Sequence, residues 1–404
     1  MSIDDRRTTA LAGSVLASFT GWALTSVTLG WLAVHGSQSA MLVGATLSAR
    51  LLAFAVTGLP AGALTDRLGN RRMLILSNLA SASIGLAFLL TSIQGGGSLP
   101  GALILFSSLF GAAEAARTVA TSNAAYELGL RRSAIRTIAA ISLVAAVGQV
   151  IGSAAGGLVL DRGGSAASCA LVAACYLTGA VLMVPGVPEQ SPTHAVVRNA
   201  ANIRARLDLV GANNGIRILV AVAIATEVLA FSSIAIEPVY AARVFVVGAS
   251  GLGALAAARA IGRLTGSLAL IVVDTRRRAG QALVAGVAGY GLALGILAAA
   301  PSFTVTIVAI MATGLFGCII DALEQYLLQT AAGPNGRGRA AGLWVFALGW
   351  GPIGYLEVSF LSDAAGPRAG PGLNAGIVLL IALGLAVASV GRRLTAVVRD
   401  PNGN

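Results

Sequence analysis

About twelve apolar segments, each long enough to cross a membrane, divide this chain into two groups of six. Only 11% of the residues are charged, whereas a soluble domain carries about 25%. Because backbone hydrogen bonds must be satisfied inside lipid, segments of this kind fold as α-helices. We therefore predict an all-α integral membrane protein, with spans at 9–34, 40–64, 73–93, 101–122, 137–160, 166–187, 216–241, 249–273, 280–300, 302–328, 340–362 and 371–391.

The long hydrophilic stretch at 188–214 separates the two groups of spans. It predicts a cytoplasmic linker between a six-helix bundle at 1–187 and another at 215–404, which ends in a short cytoplasmic tail. The halves also repeat each other, because Gly44-Ala-Thr-Leu-Ser-Ala-Arg50 matches Gly253-Ala-Leu-Ala-Ala-Ala-Arg259, and Leu109-Phe-Gly111 matches Leu315-Phe-Gly317. Duplicated halves are typical of transporters that work by alternating access.

The formal net charge of +11 is explained by topology. Arginines gather in alternate turns between the spans, and membrane proteins keep such turns on the cytoplasmic side. This predicts a multi-pass protein of the bacterial cell membrane with both termini in the cytoplasm. It also removes the reason to expect nucleic acid as a partner.

The turn between the second and third spans carries the most distinctive pattern. It reads Gly62-Ala-Leu-Thr-Asp66-Arg67-Leu-Gly69-Asn-Arg71-Arg72. Glycine permits close helix approach and a tight reversal, and aspartate accepts hydrogen bonds from backbone N–H groups. An ordinary cytoplasmic turn requires arginines but neither the glycines nor the aspartate.

This turn resembles the loop signature of the major facilitator superfamily, G-x-x-x-D-R-x-G-R-R, with Asn70 in place of a basic residue. The stretch 148–157 is similar to the antiporter signature of the superfamily's drug exporters, with Ser153 in place of proline. Its small residues equally suit plain helix packing; the glycines concerned are Gly148, Gly152, Gly156 and Gly157. The turn 334–344 looks like that of the enterobactin-exporter and macrolide-efflux branch.

The resemblance implies two pseudo-symmetric six-helix bundles and a conformational switch at the first turn, formed by Gly62, Asp66, Arg67, Gly69, Arg71 and Arg72. It also implies that spans one, four, seven and ten line the substrate path. Charges inside those spans are candidate functional groups, because an ionised side chain costs about 2.5–3.5 kcal/mol at a helix centre. They are Glu114, Arg117, Glu227, Asp321 and Glu324.

Spacing separates these charges into groups. Glu114 and Arg117 lie three residues apart on one helix face, where they can neutralise each other or serve function. The matched Arg50 and Arg259 complete the candidate cavity charges, and we expect both to contact acidic groups or carbonyl oxygens rather than lipid. No role is predicted for Glu357, for which pairing with a basic residue is the first contact to test.

Three acids are candidate proton carriers. Asp321 and Glu324 are like charges three residues apart, an arrangement that favours protonation of one of them. Alternatively, water or nearby arginines solvate both of them at the end of span ten. Glu227 lies near the middle of span seven with no arginine close in sequence, so it is the strongest single candidate.

The sequence carries no pattern of an enzyme. It has no nucleotide-binding loop, and its histidines, His35 and His194, lie far apart. The three cysteines fall within apolar segments and read as packing residues, so we predict no metal site and no cofactor. We expect a monomer whose partners are a small-molecule substrate, protons and the lipid bilayer.

Three functions are compatible with this pattern. The first is a proton-coupled exporter, an antiporter of amphipathic small molecules such as drugs, antibiotics or a siderophore. The second is an importer or facilitator of a polar nutrient, for which we expect more Asn, Gln and aromatic residues in spans one, four, seven and ten. The third is a non-transporting membrane sensor or assembly factor, which the intact first-turn signature disfavours.

Overall fold

The computed structural model describes residues 3–37, 39–129, 134–184, 214–272 and 278–387. The regular elements in these residues are helical, which confirms the predicted fold class. The α-helices are α1 (Ile3–Ser37), α2 (Ala40–Leu68), α3 (Asn70–Ile93), α4 (Pro100–Gly129), α5 (Ala134–Met183), α6 (Asn214–Ala225), α7 (Glu237–Val239), α8 (Gly248–Val272), α9 (Ala279–Ala299), α10 (Phe303–Ala331), α11 (Gly333–Leu348), α12 (Gly351–Ala365) and α13 (Ala369–Val387).

Ten stretches of the described helices are long and apolar enough to cross a membrane. Two differences reconcile them with the twelve predicted spans. Spans five and six are two helices that together make up the range of α5, and they are separated by a kink at Gly164, where the backbone is not helical, with a φ of 69° and a ψ of −173°. The eighth span corresponds to α8, which is not among the ten and carries Arg259 and Arg263. The chain is thus a multi-pass membrane protein.

Span seven is not the uniform helix that its apolar composition predicts. After α6, the chain forms a π-helical turn over Thr226–Ala230, a 3-10 helix over Phe231–Ile236, the short α7, and a second π-helical turn over Tyr240–Val244. Pro238 contributes to this irregularity because it has no backbone N–H to donate. Turns of the π type occur often at functional sites, and Glu227 lies in the first of them.

The described residues group into two compact units. The first comprises Met1–Ala195 with Glu237–Ala257, and the second comprises Val196–Ile236 with Ala258–Asn404. The predicted bundle boundaries at 187 and 215 remain a prediction. The predicted linker at 188–214 lies outside the described residues, apart from Asn214.

Within the first unit, α5 packs closely on α1 through its glycines. A Cβ at Gly148 would lie 2.7 Å from the carbonyl oxygen of Leu16, and one at Gly152 would collide with the carbonyl of Thr20. One at Gly156 would lie 3.3 Å from the Cα of Leu24. Small residues of this kind allow backbones to touch, so three of the four signature glycines pack α1 against α5.

The repeat between the halves is visible in the packing, with a corrected register. Gly111 of α4 lies against the carbonyl of Arg50 in α2, and Gly314 of α10 lies against the carbonyl of Arg259 in α8. The sequence comparison matched Gly111 with Gly317 instead. That alignment was shifted by three residues, because helices rich in Ala, Gly and Leu can be aligned in several similar ways. The contact between a glycine and a carbonyl group on the neighbouring helix identifies a single alignment.

Replacing these contact glycines should destabilise the protein. We expect Gly111→Ala and Gly314→Ala each to lower the free energy of unfolding by about 1–3 kcal/mol, because the added methyl forces two helix backbones apart. Gly58→Ala is the matched control, since no atom of the described residues lies within 4 Å of its Cβ position. Thermal unfolding in detergent would measure the difference, and equal midpoints for Gly58→Ala and Gly111→Ala would contradict this packing.

Candidate functional site

A buried ion pair forms the centre of the first unit. The Arg50 Nε donates to Glu114 Oε2 at 3.0 Å, and the exposed fractions of the two side chains are 9% and 18%. Its Nη1 donates to Ser26 Oγ at 2.8 Å, and its guanidinium carbon lies 5.2 Å from the centre of the Trp22 ring. The sequence-based expectation that Arg50 contacts an acidic partner is therefore confirmed.

Arg117 lies beside this pair but is not neutralised as its spacing from Glu114 suggested. The residue is 2% exposed, and its guanidinium carbon lies 5.2 Å from the centre of the Tyr176 ring. Its Nε and Nη1 atoms find no hydrogen-bond partner among the described residues. The predicted pair of Glu114 with Arg117 is not the one observed, because Glu114 bonds to Arg50 on the neighbouring helix. Arg50 and Arg117 are thus both buried, and the Glu114 carboxylate bonds to Arg50.

A second ion pair lies in the second unit, where sequence reasoning had not placed one. Both Nη1 and Nη2 of Arg263 donate to Asp321 Oδ2 at 3.2 Å. Arg263 follows Arg259 by four residues, and Asp321 follows Gly314 by seven, whereas Glu114 follows Gly111 by three. The pair is therefore displaced by one helical turn on both helices relative to the pair of the first unit. A search for arginines one turn from the repeat position would have found Arg263.

The other two candidate acids of this unit are buried near that pair. The Thr226 hydroxyl, in the π-helical turn, donates to Glu324 Oε1 at 3.0 Å. Glu324 is 1% exposed and Glu227 is 8% exposed, and Glu227 interacts electrostatically with Asp321, Glu324 and Arg263. The alternative in which water solvates both acids of span ten is wrong for Glu324, because the helix carrying Thr226 covers it. The structure gathers Glu227, Asp321 and Glu324, which sequence spacing treated as two separate groups.

Other charges predicted within the spans have different surroundings. Glu357 Oε2 accepts from Asn374 Nδ2 at 3.0 Å, so its described partner is an amide rather than a basic residue. Glu237, which precedes Pro238, is 3% exposed. The backbone of Arg259 packs on Gly314 as described above. Among the described residues, no group of three or more His, Cys, Asp or Glu side chains is placed to hold a metal ion.

The first turn has the reversal that its glycine predicted. Gly69 has a φ of 82°, and its N–H donates to Thr65 O at 2.9 Å. Asp66 and Arg67 are exposed. Arg71 Nε donates to the carbonyl oxygen of Met183 at 3.2 Å, and its Nη2 donates to Val184 O. Arg71 therefore satisfies free carbonyl groups at the end of α5, where a cation is favourable.

Comparison with known proteins decides the family. The family model described as "Major Facilitator Superfamily" matches residues 11–234, more than half of the chain. The chain belongs to the major facilitator superfamily. This confirms the family that the first turn indicated.

Relatives with assigned names are all distant. The multidrug efflux pump Tap of Mycolicibacterium fortuitum is 26% identical over 375 residues, which cover 88% of this chain and 89% of that protein. The enterobactin exporter EntS of Salmonella choleraesuis is 28% identical over 268 residues, 63% of each chain. Each has the name of an exporter.

Solved structures show the same fold. The nucleoside transporter NupG superimposes with a TM-score of 0.78 at 12% identity, over 96% of this chain and 99% of that chain. A bacterial homologue of the lysosomal transporter Spinster gives a TM-score of 0.73 at 14% identity, over 100% and 99% of the two chains. These likenesses establish the architecture and carry no information on substrate.

Proposed function

We propose that this protein is a proton-coupled exporter, an antiporter that moves amphipathic small molecules such as drugs, antibiotics or a siderophore out of a bacterial cell by alternating access. The observation that carries the proposal is a group of three carboxyl groups, Glu227, Asp321 and Glu324, of which Asp321 is paired with Arg263 and the other two are buried. The names of the distant exporters support the direction of transport.

Charge balance explains why this group suits proton exchange. If all three carboxyl groups were ionised, the buried charges of Glu227 and Glu324 would come in addition to the pair of Asp321 with Arg263. Burial and neighbouring like charges both penalise such a state. One carboxyl group therefore carries a proton until a positive or polar group of the substrate replaces that proton. Such competition couples the two fluxes, because binding of one ligand lowers affinity for the other.

The three acids differ in how free they are for this role. Asp321 is held by two hydrogen bonds from Arg263, and Glu324 accepts from Thr226. Glu227 lies in the π-helical turn, where the regular bonding pattern of the helix is interrupted. We assign the exchanged proton to Glu227, with Asp321 and Glu324 setting the local charge.

The same proposal fixes the setting in the cell. Both termini lie in the cytoplasm, so the first turn with Asp66 and Arg67 faces inward, following the distribution of arginines. The protein acts as a monomer, since each six-helix half supplies its own buried charges. Neither a cofactor nor catalysis of a covalent step is part of the proposal.

Dye accumulation in whole cells tests this function. We expect cells that make the protein to accumulate less ethidium than cells with an empty vector, and a proton uncoupler to abolish the difference. A catecholate siderophore tests the second substrate class in the same way. A facilitator would instead equilibrate its substrate whether or not the uncoupler is present. A non-transporting sensor would leave the accumulation of dye and siderophore equal to that of the empty-vector cells. Either result would overturn the proposal.

A further inference from the structure

The pattern of the first turn occurs a second time, at the kink of α5. The stretch Gly157-Leu-Val-Leu-Asp161-Arg162-Gly-Gly164 has the glycine, aspartate and arginine spacing of Gly62-Ala-Leu-Thr-Asp66-Arg67-Leu-Gly69. The last glycine of each copy has a positive φ, 82° at Gly69 and 69° at Gly164. Glycine adopts this conformation without a steric penalty, so the two copies share their turn as well as their residues.

The two copies end spans that arrive at opposite sides of the membrane. The first copy ends α2; α3 then crosses, α4 returns, and the first part of α5 crosses again before Asp161. Each of these segments has the length and composition of a span. The Asp66 copy and the Asp161 copy therefore lie on opposite faces.

The Asp161 copy is engaged with the start of α8. Asp161 Oδ1 accepts from the N–H of Ala249, and Oδ2 accepts from the N–H of Ser250, both at 2.8 Å. The first N–H groups of a helix have no partner within the helix, and a carboxylate there is favoured by the helix dipole. Asp161 thus caps a helix that lies 88 residues further along the chain.

Gly157 brings the backbones together at the same contact. A Cβ at this position would lie 2.5 Å from the carbonyl oxygen of Ala249 and 2.8 Å from the Cα of Ser250. At Gly62, by contrast, no described atom lies within 4 Å of the Cβ position. Asp66 and Asp161 are both exposed, so the two copies differ in their contacts and not in their exposure. Among the described residues, the Asp161 copy contacts a helix end, whereas no such contact is described for the Asp66 copy.

We propose that Gly157, Asp161 and the start of α8 at Gly248–Ser250 form a second conformational latch, which closes in one state of the transport cycle and opens in the other. We call it the Asp161 latch. It works in opposition to the switch at Asp66, so that one copy is engaged when the other is free. The proposal rests on the alternating access proposed above, but it concerns conformation and needs no coupling to protons.

Cysteine labelling in lipid nanodiscs tests the latch, since the reagent then reaches both faces. Cys169, Cys175 and Cys318 are first replaced by alanine, and Leu252→Cys, at a position 3% exposed near the start of α8, is the reporter. We expect Asp161→Ala to raise the rate of maleimide labelling by roughly 5- to 30-fold, the shift that loss of about one helix cap produces in a two-state equilibrium. Asp66→Asn should lower the rate, because it releases the opposing switch.

Three controls keep the test decisive. Arg162→Gln changes the neighbouring exposed charge without touching the cap and should leave labelling unchanged. Val246→Cys, at a position 77% exposed, should react equally in every background. Asp161→Asn, which retains one acceptor oxygen, provides a milder variant if Asp161→Ala does not fold as judged by gel filtration.

The outcomes separate this inference from the proposed function. Equal labelling of Leu252→Cys in the parent, Asp161→Ala and Asp161→Asn backgrounds would overturn the latch, as would an equal rise in Arg162→Gln. The rates are measured without substrate or a pH gradient. Failure of proton-coupled export would therefore leave the latch result standing, and the reverse also holds.

Discussion

Glu227→Gln should abolish uphill export while downhill exchange of substrate survives. Glutamine keeps the shape of the side chain and resembles the protonated acid, so the group near Asp321, Glu324 and Arg263 would stay in its neutral-carboxyl state. Substrate still binds, but no proton is released to drive the return step. Proteoliposomes with an imposed pH gradient would measure uphill ethidium transport, and the same vesicles preloaded with unlabelled ethidium would measure exchange.

Variants of the neighbouring acids provide the contrast. Glu324→Gln can still accept the Thr226 hydrogen bond through its amide oxygen, so it tests the charge of Glu324 with little change in packing. Asp321→Asn leaves Arg263 without its described carboxylate and acts on two groups at once. If either variant uncouples export while Glu227→Gln does not, span ten carries the proton. If all three export as well as the parent, coupling through these acids is wrong and the facilitator becomes the better hypothesis.

The sequence predicted the helices of this protein better than it predicted their contacts. Membrane length and lack of charge are local properties, so the spans and the glycine reversal at Gly69 could be predicted from single stretches. The irregular turn around Glu227 could not, because its composition matches that of a straight span. The break between spans five and six was also predictable, since the non-helical Gly164 lies between the two predicted spans.

Charge partners were the hardest part to predict. The spacing of Glu114 and Arg117 suggested a local pair, but Arg50 on another helix offers Glu114 a bond at 3.0 Å. Spacing within one helix shows which side chains of that helix can pair, whereas the packing of different helices decides which ion pairs form. The matched position of Arg50 and Arg259 was informative because the two halves share a packing pattern. Asp161 was overlooked although its stretch repeats the spacing of the first turn, and no local pattern indicates that its partner lies 88 residues further along the chain.

The arrangement of the first unit predicts a strongly asymmetric response to loss of charge. Glu114→Gln would leave Arg50 buried without its described carboxylate partner, while Arg117 stays buried on the same helix as position 114. Removing one partner of a buried ion pair costs about 3–5 kcal/mol. Arg50→Gln should cost much less, because Glu114 lies three residues from Arg117 on the same helix and can pair with it instead.

Arg117 itself provides the decisive arm of this experiment. Its Nε and Nη1 atoms are buried without a described hydrogen-bond partner, so Arg117→Met removes a charge whose burial is costly and retains an apolar chain beside Tyr176. We expect its thermal midpoint in detergent to equal or exceed that of the parent. The double variant Glu114→Gln/Arg117→Met should recover part of the stability lost in Glu114→Gln, because it leaves one buried guanidinium instead of two. A loss of stability in Arg117→Met as large as that in Glu114→Gln would contradict this expectation and would mean that Arg117 is satisfied in the folded protein.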